Sequence, residues 1–131
     1  MEWVLFLCPH NAAKSILATV YFNKRMADIG TEARAFSAGT EPDEEVALHV
    51  ATLLYEEGYS RPEHKPRQVN QADLDKADRI VSIGCDLRGL STTGKQVTQW
   101  NDVPPPSKDL QGAWREVKAR VDELIFVSLQ Q

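Results

Sequence analysis

Cysteine is scarce in this chain. Cys8 and Cys85 are the only two in 131 residues, too few for a disulfide scaffold, and a reducing, cytoplasmic location is the expectation that follows. Positive charge is also short: 15 Lys and Arg stand against 19 Asp and Glu, a formal net charge of -4. The basic residues are scattered, with only Arg61, Lys65 and Arg67 clustered, so the basic stripe of a nucleic-acid binder is missing. No apolar run approaches the roughly 20 residues that span a bilayer, and the first residues lack the basic flank of a signal peptide. Neither nucleic acid nor membrane is an expected partner. There is no internal repeat, and no low-complexity segment beyond Pro104-Pro105-Pro106. What is present, 42% hydrophobic and 26% charged residues, fits a single domain over residues 1–131 with one core.

The hydrophobic pattern alternates between two periods. Residues 3–7 are continuously apolar, as in a strand buried on both faces. From Ser15 the spacing of Ile16, Leu17, Val20 and Tyr21 is helical, and Gly30 supplies a stop. Residues 33–36 predict a second strand, ending in Ser37-Ala38-Gly39-Thr40. Val46, Val50, Leu53 and Leu54 mark an amphipathic helix that ends at Gly58. Residues 61–68 read as a polar loop, 71–76 as a short helix and 79–83 as a third strand, with Gly84-Cys85-Asp86 just beyond. Residues 95–100 are a weaker fourth strand and 109–129 a final helix with Trp114, Val117, Val121 and Leu124 on one stripe. Alternating strands and helices predict an α/β, three-layer, doubly wound sheet with right-handed crossovers and helices on both faces. In such sheets the functional crevice lies beyond the C-terminal strand ends. Cys8, Ser37, Cys85 and the loop after Trp100 are all expected on that rim.

Cys8 stands where a buried strand delivers a thiol to the start of a helix. The thiolate is the reactive form, and a helix N-terminus or a neighbouring cation favours it. The N–H groups of residues 9–14 (Pro9, His10, Asn11, Ala12, Ala13 and Lys14) could wrap an oxyanion, with the helix dipole favouring its charge. Lys14 adds a positive charge. Asn11 tolerates a left-handed backbone. Ser15 either donates to the sulfur or caps the helix. A buried strand-end cysteine is the plainer reading, and it is the company of Asn11, Ser15 and the helix start that favours a nucleophile.

These residues carry a resemblance to the low-molecular-weight protein tyrosine phosphatase superfamily, which includes the arsenate reductases of that fold. The family loop runs Cys, five residues, Arg, Ser. Cys8, Asn11 and Ser15 match it, and Lys14 occupies the arginine position. Ser37-Ala38-Gly39, Gly58, His64, Arg67-Gln68, residues 78–86, and Trp100 with its proline-rich loop extend the match over residues 3 to about 126. The resemblance implies a four-stranded parallel sheet, Cys8 as nucleophile, and Ser37 and His64 as partners that brace Asn11. It implies no metal or organic cofactor. The ligands it implies are phosphate, sulfate or arsenate, with a phosphorylated protein or a thiol reductant as partner. His10 and His49 have no match.

Three positions bear on activity. Lysine is a point charge where arginine would grip an oxyanion bidentately, and a lost oxyanion donor typically costs ~10²–10³ in rate. The family's acid, an Asp before Pro, aligns with Pro105; Asp102, three residues earlier, either substitutes for it or caps the turn. Cys85 resembles the redox cysteine of the arsenate reductases in a similar Gly-Cys context, although no further cysteine follows in residues 86–93. It is either a packed strand-end residue or a thiol able to form a disulfide with Cys8; otherwise a small thiol must resolve the adduct. The expectation is thus a Cys8-dependent enzyme that hydrolyses phosphate monoesters of the phosphotyrosine type or reduces arsenate. The alternative is a weak or inactive oxyanion-binding pseudo-phosphatase.

Overall fold

The computed structural model describes residues 2–59, 65–87 and 89–129. Its centre is β1 (Trp3–Leu7). Successive side chains of a strand point to opposite faces, so this continuous apolar run feeds two cores: Val4 and Phe6 enter one, Leu5 and Leu7 the other. Each large aliphatic or aromatic side chain so buried contributes about 1.5–3 kcal/mol. β1 pairs in parallel with β2 (Arg34–Ala38) and with β3 (Arg79–Ser82). β3 in turn pairs in parallel with β4 (Gln96–Gln99). The order is β2-β1-β3-β4, a four-stranded parallel sheet as the resemblance implies.

Helices cover both faces unequally. α1 (Lys14–Ile29), α2 (Leu48–Glu56) and α4 (Leu110–Leu129) pack on the Phe6 face, where Leu17, Phe22, Leu54, Trp114 and Val117 build the larger core. The short α3 (Gln71–Lys76) covers the other face through Leu74, against Leu5, Leu7 and Ile80. α1 stops where Gly30 takes the left-handed conformation (φ 89°), and its N–H donates to the Met26 carbonyl, the usual glycine termination. No helix among the described residues is long and apolar enough to cross a membrane.

Two local expectations change. β2 runs to Ala38, so Ser37 lies inside the strand opposite Phe6 rather than past its end. Serine and alanine are small enough to be buried there. Beyond β2, Gly39 bridges in parallel to Gln68, giving and receiving backbone hydrogen bonds of 2.9 Å with Arg67 and Val69. α2 starts at Leu48, not Val46, and the Ala47 N–H donates instead to the Ala12 carbonyl. That bond ties the start of α2 to the loop that follows β1.

Candidate active site

The loop between β1 and α1 is held from outside. The N–H groups of Glu41, Asp43 and Ala47 donate to the carbonyls of Pro9 (2.7 Å), His10 (2.9 Å) and Ala12 (2.9 Å). In a planar trans peptide the N–H points opposite to the carbonyl. The outward carbonyls therefore turn the N–H groups of His10, Asn11 and Ala13 away from that belt, towards the loop's interior. No N–H from His10 to Lys14 donates to any group among the described residues. Pro9 has no amide hydrogen, so the wrap expected over residues 9–14 begins at His10. These groups adjoin the N-terminus of α1, whose partial positive charge favours an anion.

Asn11 makes the loop's sharp bend. It is fully buried and is the only non-glycine residue with positive φ, 49°, among the described residues. Its amide is used at both ends. Nδ2 donates to Ser15 Oγ at 2.8 Å, and Oδ1 accepts the Arg67 N–H at 3.1 Å. Ser37 and His64 were the expected braces. Ser37 is buried in β2 and is no partner in either of these bonds, and His64 lies outside the described residues. Arg67 is itself fixed: its guanidinium makes paired bonds to Asp73, which closes the capping box of α3 with Asn70. Gly39 packs against the other side of the loop. A Cβ there would stand 2.6 Å from the Pro9 carbonyl oxygen and 2.9 Å from that of Cys8.

Cys8 lies buried at the foot of the loop. Its thiol donates to Ser15 Oγ at 2.9 Å, and the Ser15 N–H donates to the sulfur at 3.4 Å. Because Asn11 already donates to Ser15 Oγ, the serine hydrogen is available to a thiolate, and the contact reverses on ionisation. Ser15 does not cap α1. The cap position is Ala13, with no side-chain hydrogen bond, and the helix begins at Lys14.

Cys85, half-buried just past β3, belongs to the same neighbourhood. Burial first, and the nearby Cys8 second, push its thiol up to about 12. The neighbouring Thr40 and Ser82 side chains and the charge of Lys14 act in the opposite direction. Asp102 is elsewhere. Its side chain is 81% exposed and paired with Arg120 of α4, which is held in turn by Glu116 at 2.7 Å. The Arg120 guanidinium keeps the Asp102 carboxyl below the usual carboxylate range, the opposite of what a proton donor near neutrality needs. Arg120 also lines a groove of about 510 Å³ between β4 and α4 that includes none of the loop residues.

Sequence reasoning missed Arg67, Gly39 and Thr40 as parts of the site. The Gly in Ser37-Ala38-Gly39-Thr40 and the Arg67-Gln68 pair were visible as matches to the family, with no role assigned to either.

A family model described as low molecular weight phosphotyrosine protein phosphatase matches residues 3–123. A putative arsenate reductase of Halobacterium salinarum is 24% identical over 92% of this chain and 85% of its own length. The crystal structure of an arsenate reductase from Archaeoglobus fulgidus is 34% identical, covers 98% of this chain and 99% of its own, and superposes with a TM-score of 0.71. A thioredoxin-dependent arsenate reductase of Corynebacterium glutamicum is 25% identical with a TM-score of 0.85; the match covers 100% of this chain but only 64% of that longer one. The family model spans nearly the whole chain, and the chain belongs to the low-molecular-weight phosphotyrosine protein phosphatase family.

Proposed function

We propose that this protein is an enzyme that forms a covalent adduct between Cys8 and a tetrahedral oxyanion, hydrolysing phosphate monoesters or reducing arsenate. The observation that carries the reading is the sulfur of Cys8, bound to Ser15 at 2.9 Å beneath a run of N–H groups with no partner among the described residues. The ionised thiol attacks phosphorus and the bond to the leaving oxygen breaks. The N–H groups and Lys14 balance the charge on the equatorial oxygens. Water then attacks phosphorus, the S–P bond breaks, and Cys8 is restored as a thiolate.

With arsenate, Cys8 forms an S–As bond and a hydroxyl leaves as water. A second thiolate attacks the Cys8 sulfur, the S–As electron pair passes to arsenic, and arsenite departs as a disulfide forms. Arsenic is reduced by two electrons, and an external thiol must regenerate the pair. Cys85 favours this second activity, because it stands close enough to Cys8 for the charge of Cys8 to raise it. The likeness to arsenate reductases supports it too.

The test is turnover of an aryl phosphate and, separately, of arsenate with a thioredoxin system or a small thiol, in the wild type, Cys8→Ser and Cys85→Ser. Cys8→Ser should abolish both activities, and Cys85→Ser should impair only the arsenate reaction. Oxyanion binding by calorimetry without turnover in either assay would contradict the reading and leave a binding protein.

A further inference from the structure

We propose that His10 gives the proton to the leaving oxygen when Cys8 takes a phosphoryl group, with Asp43 holding its ring. The inference rests on the phosphatase half of the function proposed above. Expulsion of an alkoxide or phenolate calls for an acid, worth ~10²–10⁴ in rate. Pro105 has no proton to give, and Asp102 is engaged with Arg120 on α4. Between Cys8 and Lys14 the loop reads Pro-His-Asn-Ala-Ala, so His10 is its one titratable side chain.

The ring is held in a defined way. Nδ1 lies 3.2 Å from Asp43 Oδ1 and 3.2 Å from the Glu41 carbonyl oxygen. A carboxylate and a carbonyl can only accept, so Nδ1 carries a hydrogen whether or not the ring is charged. Nε2 is therefore the nitrogen that gains and loses the proton, and it has no partner among the described residues. An imidazole is the side chain suited to exchange a proton near neutrality.

The mount is shared with the oxyanion groups. Glu41 and Asp43 donate their N–H groups to the Pro9 and His10 carbonyls, so the ring, its carboxylate and the inward N–H groups sit on one frame. The His10 side chain is 61% exposed, which puts it at the solvent side of the loop, whereas Cys8 is buried at its foot. Asp43 is the charged side chain that touches the ring; Glu41, Glu44 and Glu45 belong to the same 41–47 belt, with Glu45 paired to Lys65 at 3.0 Å.

As the S–P bond forms and the bond from phosphorus to the leaving oxygen breaks, that oxygen takes the Nε2 proton. His10 is left neutral, still donating through Nδ1. In the second step Nε2 accepts a proton from the water that attacks phosphorus, the S–P bond breaks, and the imidazolium is restored.

The experiment compares kcat/KM for phenyl phosphate, whose leaving group needs a proton, with dinitrophenyl phosphate, whose leaving group does not. The proteins are wild type, His10→Gln, Asp43→Asn and Cys8→Ser. Calorimetry with inorganic phosphate reports whether the loop is intact. His10→Gln should lower the phenyl phosphate value about 100-fold and the dinitrophenyl value by less than about threefold, the discrimination expected of a lost general acid. Phosphate should still bind, which shows that the loop is intact. Asp43→Asn should show a smaller loss with the same dependence on the leaving group. Equal losses on both esters, or none on phenyl phosphate, overturn the role of His10 while Cys8-dependent turnover keeps the phosphatase reading standing. If the wild type is no faster than Cys8→Ser on either ester, that reading and this inference fall together.

Discussion

The two sides of the sulfur are built differently. On one side the loop from Cys8 to Ser15 is tied down at nearly every residue: three carbonyls bound to the 41–47 belt, Asn11 bound at both ends of its amide, and Gly39 against its back. On the other side, the segment after β4 is tied to something else. Asp102 is exposed and engaged with Arg120, and Pro104-Pro105-Pro106 offers no titratable group. The loop is held by its neighbours on several sides, and the segment after β4 carries no acid free to serve a leaving group. Under the function proposed above, a proton for the leaving group must then come from the loop side, where His10 stands, or the chemistry must pass to a second thiol.

The largest effect should come from pH. The Cys85 thiol is raised from an ordinary 9.0 to about 12, so it is neutral at physiological pH and its thiolate fraction rises about tenfold per pH unit. Formation of a Cys8–Cys85 disulfide during arsenate turnover should therefore accelerate about 100-fold from about pH 7 to pH 9, a rate set by the second thiol. Quenched-flow trapping with a maleimide measures it. A flat profile would remove Cys85 from the reaction.

Lys14→Arg sharpens the contrast from the oxyanion side. A planar bidentate donor in place of a point charge should raise kcat/KM on an aryl phosphate by about 10- to 100-fold. No gain would mean that the arginine fork cannot reach the equatorial oxygens. Gly39→Ala attacks the held loop directly. A methyl group 2.6 Å from the Pro9 oxygen must displace the loop, at about 1–3 kcal/mol of stability. A lowered Tm and weaker phosphate binding are the expected readouts, and an unchanged Tm would show that the loop gives easily. Asp102→Asn should have the smallest effect. A working general acid is worth ~10²–10⁴, and a change in kcat/KM below about threefold is expected here. A hundredfold loss would show that the segment swings over the site during turnover.

Much of this was legible in the sequence, because the signals were local. A continuous apolar run must be buried on both faces, the helical period begins at the loop's end, and Asn11 is a residue that tolerates positive φ. The supports of Asn11 were not legible. One is the main-chain N–H of Arg67, which any residue type offers, and it arrives only because residues 67–69 bridge to Gly39. The fate of Asp102 was hidden for a similar reason: its partner lies 18 residues on, along α4. Ser15 was open to two readings, and the bond geometry at Cys8 selects the sulfur over the helix cap.

The proposed function requires that Cys8 become covalently bonded to the substrate. Acid quench of the protein during turnover of an aryl phosphate, followed by peptide mass analysis, tests it most directly. One added phosphoryl group is expected on the peptide that contains Cys8, and none in Cys8→Ser. Turnover with every trapped Cys8 unmodified would contradict it.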